Sequence, residues 1–123
     1  MFNITVLVVT HDIQDALYMS NKTIVIRDGK LEQFDKLINI YKYPSSEYSA
    51  LLTGKSNIIP KDFLPQSKYF FTDSLTNQKL LSVRPNQFFL SSKKSKNNFC
   101  KINCYIKEII DIGFKSILKL IYK

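Results

Sequence analysis

The chain has 123 residues and a net charge of +8, with 45% hydrophobic and 23% charged side chains. That balance fits one ordinary globular domain, or a small domain with a piece of another, and excludes collagen-like, disordered and coiled-coil chains. No apolar run approaches the roughly eighteen residues a membrane-spanning helix needs, and the N-terminus lacks a basic-then-apolar leader, so a cytoplasmic chain is expected.

The segment Ile4-Thr5-Val6-Leu7-Val8-Val9 is β-branched and almost continuously apolar. A strand exposed on one face would alternate, so this run predicts a strand buried on both faces of a parallel sheet. It ends at Thr10-His11-Asp12. A short helix is expected over 13–19, with Thr10 or Asp12 as its cap, Asp15 in its first turn, and Ile13, Ala16, Leu17 and Ser20 on one side. Strand-like residues 22–27 and 30–33 flank Asp28-Gly29, a strong hairpin signal because the tight turn needs positive φ. A helix is expected over about 36–43, presenting Leu37, Ile40 and Tyr41, and Pro44 stops it. Another starts near Ser45 or Ser46, carries Tyr48, Leu51 and Leu52, and ends at Gly54.

From Ser56 the texture changes. Pro60 and Pro65 punctuate a linker-like stretch without a helical period. Short strands are expected at 69–71, 80–83, 88–90, 100–106 and 116–122, a pattern that fits a small barrel or sandwich. The charge divides too: residues 1–60 carry six basic and six acidic side chains, and residues 61–123 carry twelve and four. Such asymmetry points to two units.

The basic residues themselves are uninformative about partners. Lysine supplies 16 of the 18, and arginine occurs only at Arg27 and Arg84. An AT-rich coding sequence explains that bias as well as polyanion binding does, since phosphate- and base-reading surfaces lean on arginine forks. The Lys93–Lys96 loop, with Phe88, Phe89, Phe99 and Tyr105 nearby, could serve single-stranded nucleic acid, but a solvated loop beside core aromatics fits better without arginine. Cys100 and Cys104 share one strand face, too far apart for a simple disulfide, and are expected to be buried reduced thiols. Tyr41, Tyr43 and Tyr48 stand at helical spacings that suit packing.

The order of strand, His-Asp, helix, hairpin and two helices carries a resemblance. Val8-Val9-Thr10-His11-Asp12, then Asp15-Ala16, Ser20-Asn21-Lys22 and Arg27-Asp28-Gly29-Lys30-Leu31-Glu32-Gln33, closely resembles the tail of the ATPase domain in ABC transporter ATP-binding subunits. Ile40-Tyr41, Pro44, Ala50-Leu51-Leu52, Gly54 and Asn57 continue the likeness to importer ATPases for sugars, polyamines, ferric iron or sulfate. Ser82-Val83-Arg84-Pro85-Asn86 resembles the opening of their OB-like accessory domain. Smaller departures occur: the family usually has Glu at Asp15, Asp at Asn21, Gly at Asp35 and Pro at Leu37. If Asp35 holds the positive φ that glycine would take, it does so at some cost.

The resemblance implies an α/β fragment, the tail of a P-loop ABC ATPase domain, followed by a small, incomplete all-β OB-like domain. Its parts would be residues 1–55 (C-terminal portion of the ATPase domain with the H-loop), 56–79 (linker and start of the accessory region) and 80–123 (incomplete OB-like accessory domain). His11 would be the switch histidine that contacts the γ-phosphate of ATP, as the catalytic and nucleotide-binding residue this segment contributes. The GxxxxGK[ST] loop, an LSGGQ-like signature and an apolar strand ending in Asp-Glu do not occur in the sequence. A C-terminal fragment is therefore expected, with ATP and Mg2+ belonging to the intact subunit, neither bound strongly by this piece, and catalysis by the chain alone not expected. Expected partners are the transporter's membrane subunits and a second ATP-binding subunit, at the inner face of the cell membrane. The rival readings are a non-catalytic OB-like regulatory or interaction module and, less favoured, a nucleic-acid-binding OB protein.

Overall fold

The computed structural model describes residues 4–89 and 102–122. The chain divides into two compact units, Met1–Leu90 and Ser91–Lys123. The fold mixes short helices with antiparallel sheets: every described strand pair runs antiparallel.

In the first unit, Asp12 caps helix α1 (Ile13–Met19), accepting a 2.7 Å hydrogen bond from the Gln14 amide. Strands β1 (Thr23–Arg27) and β2 (Lys30–Asp35) form the hairpin that Asp28-Gly29 signals. Asp28 has φ 51° and Gly29 φ 72°, the paired left-handed residues of a tight turn matched to strand twist. A bulge between Val25 and Ile26 shifts the register, and Val25 points into the core at 3% exposure.

Asp35 does not take the left-handed backbone: it closes β2, and its Oδ1 accepts from the Lys36 amide at 2.7 Å and the Asn39 side-chain amide at 2.9 Å. Helix α2 (Leu37–Lys42) follows, burying Leu37 and Ile40. Ser46 caps α3 (Glu47–Leu52), its Oγ accepting from the Ser49 amide at 3.1 Å, and Gly54 takes φ 139° just past the helix end. The buried face of α3 differs from the apolar pattern. Ser49 and Ala50 are fully buried, while Leu51 is half exposed. Small side chains let α3 approach its neighbours closely, and that proximity outweighs the size of the leucines.

Strand β3 (Asn57–Pro60) then pairs with β5 (Lys79–Val83), which also pairs with the two-residue β4 (Phe71–Thr72), in the order β3-β5-β4. Pro60 stands at the end of an edge strand, where its missing N–H is tolerated. Leu81 and Phe71 are the buried side chains of this sheet. The β4–β5 turn is held by Asp73, whose Oδ1 accepts from the amides of Leu75 and Thr76 and the Thr76 hydroxyl. Pro85–Gln87 make one 3-10 turn after β5, and Phe88 and Phe89, expected in a strand, are in neither strand nor helix.

The run Ile4–Val9 is not a buried strand. It has no regular structure, and its apolar side chains are exposed, Leu7 at 86% and Val9 at 93%. A strand exists only through hydrogen bonds to neighbours, and no described strand lies beside this segment to supply them.

The second unit is a hairpin of β6 (Cys104–Asp111) and β7 (Ser116–Tyr122). Gly113 turns it with φ 85°, and Glu108 pairs across the strands with Lys119 at 2.6 Å. Cys104 is a free thiol and exposed, contrary to the buried state expected, because no other described strand or helix of its unit covers this hairpin. Cys100, the Lys93–Lys96 loop and Phe99 lie outside the described residues.

Candidate functional site

The turn before α1 is interlocked by short polar side chains. Thr10 Oγ1 accepts a 2.9 Å hydrogen bond from the Asp12 amide and donates to Asp15 Oδ2 at 3.2 Å. Asp12 is spent on the helix cap, the role its position suggests, and not on the imidazole of His11. Pinned at both sides by these bonds, His11 is exposed to solvent.

His11 borders a pocket of about 60 Å³. Its walls are Thr10–Ile13 and Ala16 from α1 and the turn before it, Thr23–Val25 from β1, Leu37 from α2, and Leu52 and Thr53 from the end of α3. The pocket brings His11 together with the hairpin and the α3 terminus, a juxtaposition that the order of elements in the sequence did not state. Neither lysine nor arginine lines it, and Asp12 places a carboxylate there. A small-molecule pocket usually measures about 300–1,000 Å³. These residues therefore do not fit a whole nucleoside triphosphate. Among the described residues no group of three His, Cys, Asp or Glu side chains could hold a metal ion.

Behind this pocket lies a residue whose role the sequence did not disclose. Arg84 is 3% exposed. Its Nη1 donates to the carbonyls of Ala50 and Gly54 at 2.8 Å each, and of Lys55 at 3.3 Å. Its Nη2 donates to Tyr41 O at 2.8 Å and Thr53 Oγ1 at 3.0 Å, and its Nε to Tyr41 O at 3.3 Å. The guanidinium also lies 4.1 Å from the centroid of the Tyr41 ring. Apart from the Thr53 hydroxyl, its acceptors are carbonyls at or just past the ends of α2 and α3, where the negative poles of the two helices lie. Burial pushes the Arg84 pKa down from its ordinary value, and Tyr41 opposes that shift. Five donors in a rigid fork suit this task, which lysine could not perform in full.

Tyr43 and Tyr48, expected to pack, each make a ring contact, although Tyr43 stays 44% exposed. Tyr43 stacks on Tyr69 with centroids 4.2 Å apart, and Tyr48 lies under Arg27 at 5.1 Å.

No family model matches the chain, and no solved structure matches it significantly. Curated proteins do. The spermidine/putrescine import ATP-binding protein PotA of Mycoplasmopsis synoviae is 45% identical over 65 residues, covering 53% of this chain and 14% of that protein. The sulfate/thiosulfate import ATP-binding protein CysA of Mesostigma viride is 30% identical over 117 residues, covering 91% of this chain and 33% of its own length. The Fe(3+) ions import ATP-binding protein FbpC 1 of Pectobacterium atrosepticum is 28% identical over 110 residues, covering 82% of this chain and 31% of its own length. The chain thus spans a third or less of these relatives. Its homologues are ATP-binding subunits of ABC importers, and it matches part of such a subunit, consistent with a C-terminal fragment of an importer ATPase.

Proposed function

We propose that this chain is the H-loop-bearing portion of an ABC importer's ATP-binding subunit, with His11 as the switch histidine. The whole subunit would bind and hydrolyse ATP and couple that work to solute uptake through membrane subunits, paired with a second ATP-binding subunit at the cytoplasmic face. Residues 80–123 would belong to an OB-like accessory domain in the same reading. The observation that carries it is the likeness to import ATP-binding proteins along 91% of the chain.

The geometry supports a limited part for this segment. His11 is exposed at the rim of a pocket too small and too poor in cations to hold ATP. Phosphate loop, signature and magnesium ligands would have to come from other residues, and this segment would add one imidazole beside the terminal phosphate, within hydrogen-bond reach. No helix among the described residues is long and apolar enough to cross a membrane, which fits a subunit that meets the membrane through partners.

The test is to co-express the chain with an ATPase half that carries the phosphate loop, signature and acidic pair, and to compare wild type with His11→Ala. Turnover should fall far more than nucleotide affinity, because most binding contacts lie on the other half. Equal turnover in the two complexes would remove His11 from the site.

A further inference from the structure

We propose that Arg84 is a positioning residue for the His11 pocket, holding its walls in place from the far side. This inference goes beyond the functional reading above and does not depend on it. Arg84 sits between β5 and the 3-10 turn of Pro85–Gln87, and its own amide donates to Gln87 Oε1 at 2.7 Å. Its side chain leaves the sheet and enters the helical layer. There it donates to Tyr41 O at the end of α2 and to Ala50 O, Gly54 O and Lys55 O around the end of α3. Both helices face the pocket, α2 through Leu37 and α3 through Leu52 and the following Thr53.

Thr53 is the direct link. It is 3% exposed, its Oγ1 accepts from Arg84 Nη2 at 3.0 Å, and the same hydroxyl donates to Ser49 O at 2.8 Å. The residue that Arg84 grips is therefore part of the wall that His11 borders. A further property makes the grip consequential: no carboxylate pairs with Arg84 among the described residues. The buried cation is balanced by carbonyl dipoles of two separate helices, so its position and theirs are mutually dependent. Loss of the Arg84 fork would release Thr53, and through Thr53 the surroundings of the imidazole. Lys61 and Lys79, whose ammonium groups lie over the Phe70 ring, make no such connection.

His11 is the chain's only histidine, so its imidazole gives one assignable set of carbon–proton resonances in the full chain. The experiment records these for wild type, Arg84→Lys, Arg84→Met, Thr53→Val and Thr53→Ser, with Leu81→Ala as a control that damages the same sheet without touching the link. Arg84→Lys, Arg84→Met and Thr53→Val should move the His11 resonances by more than a linewidth, while Thr53→Ser, which keeps the hydroxyl, and Leu81→Ala should leave them near wild type. If Arg84→Met fails to fold, Arg84→Lys and Thr53→Val decide. His11 resonances unchanged in those two folded variants, or moved equally by Leu81→Ala, would overturn the proposal. The resonance reports on the pocket whether or not a nucleotide reaches it, so this result is separate from the turnover comparison.

Discussion

Replacing Arg84 by methionine should be among the most damaging single changes in the first unit. The side chain makes six hydrogen bonds to five acceptors. Ala50 O keeps a second donor in Thr53 Oγ1, at 3.2 Å. Tyr41 O and Gly54 O lose their short 2.8 Å contacts, and methionine offers nothing in return. A buried acceptor left unmade costs about 1–3 kcal/mol, and these two bonds are part-buried, so water restores some of that cost. We expect a loss of about 2–4 kcal/mol. A whole domain is stable by only about 5–15 kcal/mol, and the buried apolar side chains here are few, namely Val25, Leu37, Ile40, Ala50, Phe71 and Leu81. Arg84→Met should therefore remove a large share of the unit's stability and lower its urea midpoint markedly. Arg84→Lys keeps the charge but not the fork, and should lose about half as much. All three described α-helices lie in the first unit, so urea unfolding followed by circular dichroism at the helix band reports on it. An Arg84→Met curve that superimposes on wild type would refute this account of the helix ends.

Ser49→Ala should be neutral or stabilising by up to about 1 kcal/mol, because the Ser49 hydroxyl is buried without a hydrogen-bond partner among the described residues; thermal unfolding checks it, and a clear loss would contradict it. Asp73 carries a pKa lowered by its bonds to the Thr76 amide, the Thr76 hydroxyl and the Leu75 amide. Its contribution is therefore present above the unfolded-state value of 3.8 and is lost as pH falls below it; Asp73→Asn should flatten the acid limb of a stability–pH curve and leave its neutral-pH shape. Gly29→Ala should weaken the β1–β2 hairpin by about 1 kcal/mol through backbone strain at φ 72° alone, since an added Cβ meets nothing within 4 Å; Gly29→Asn should recover much of that loss in urea unfolding. Leu7→Lys together with Val9→Lys should reduce self-association seen by light scattering at unchanged helix content, because both side chains are more than four-fifths exposed.

What the sequence made legible is local chemistry. The hairpin stood out because Asp28-Gly29 is a turn signal that needs no distant partner, and both residues hold the positive φ that it demands. Helix α1 was found for the same reason: Asp12 caps its own neighbours. Pro44, Ser46 and Gly54 likewise set the limits of α2 and α3 from within a few residues. The face of α3 was misjudged because apolar periodicity counts large side chains, whereas the packed face uses Ser49, Ala50 and Thr53, small groups that permit close approach. Arg84 was visible only as part of a resemblance. Its acceptors lie 29 to 43 residues earlier in the chain, and all but one are backbone carbonyls, a group every residue possesses. No pattern of side chains can announce such partners.

Ile4–Val9 shows the complementary limit. Its β-branched, unalternating pattern states what the segment would do beside neighbours on both sides, and supplies no neighbour itself. With none among the described strands, the same residues lie open to solvent as an apolar stretch running into Thr10 and His11. That stretch and the proposed role of His11 are physically linked. If a partner sheet pairs with residues 4–9, it buries their apolar side chains and fixes the backbone that leads directly to the imidazole. Burial of the strand and placement of His11 would then be a single event, so affinity for the partner half and the geometry of the site would rise and fall together.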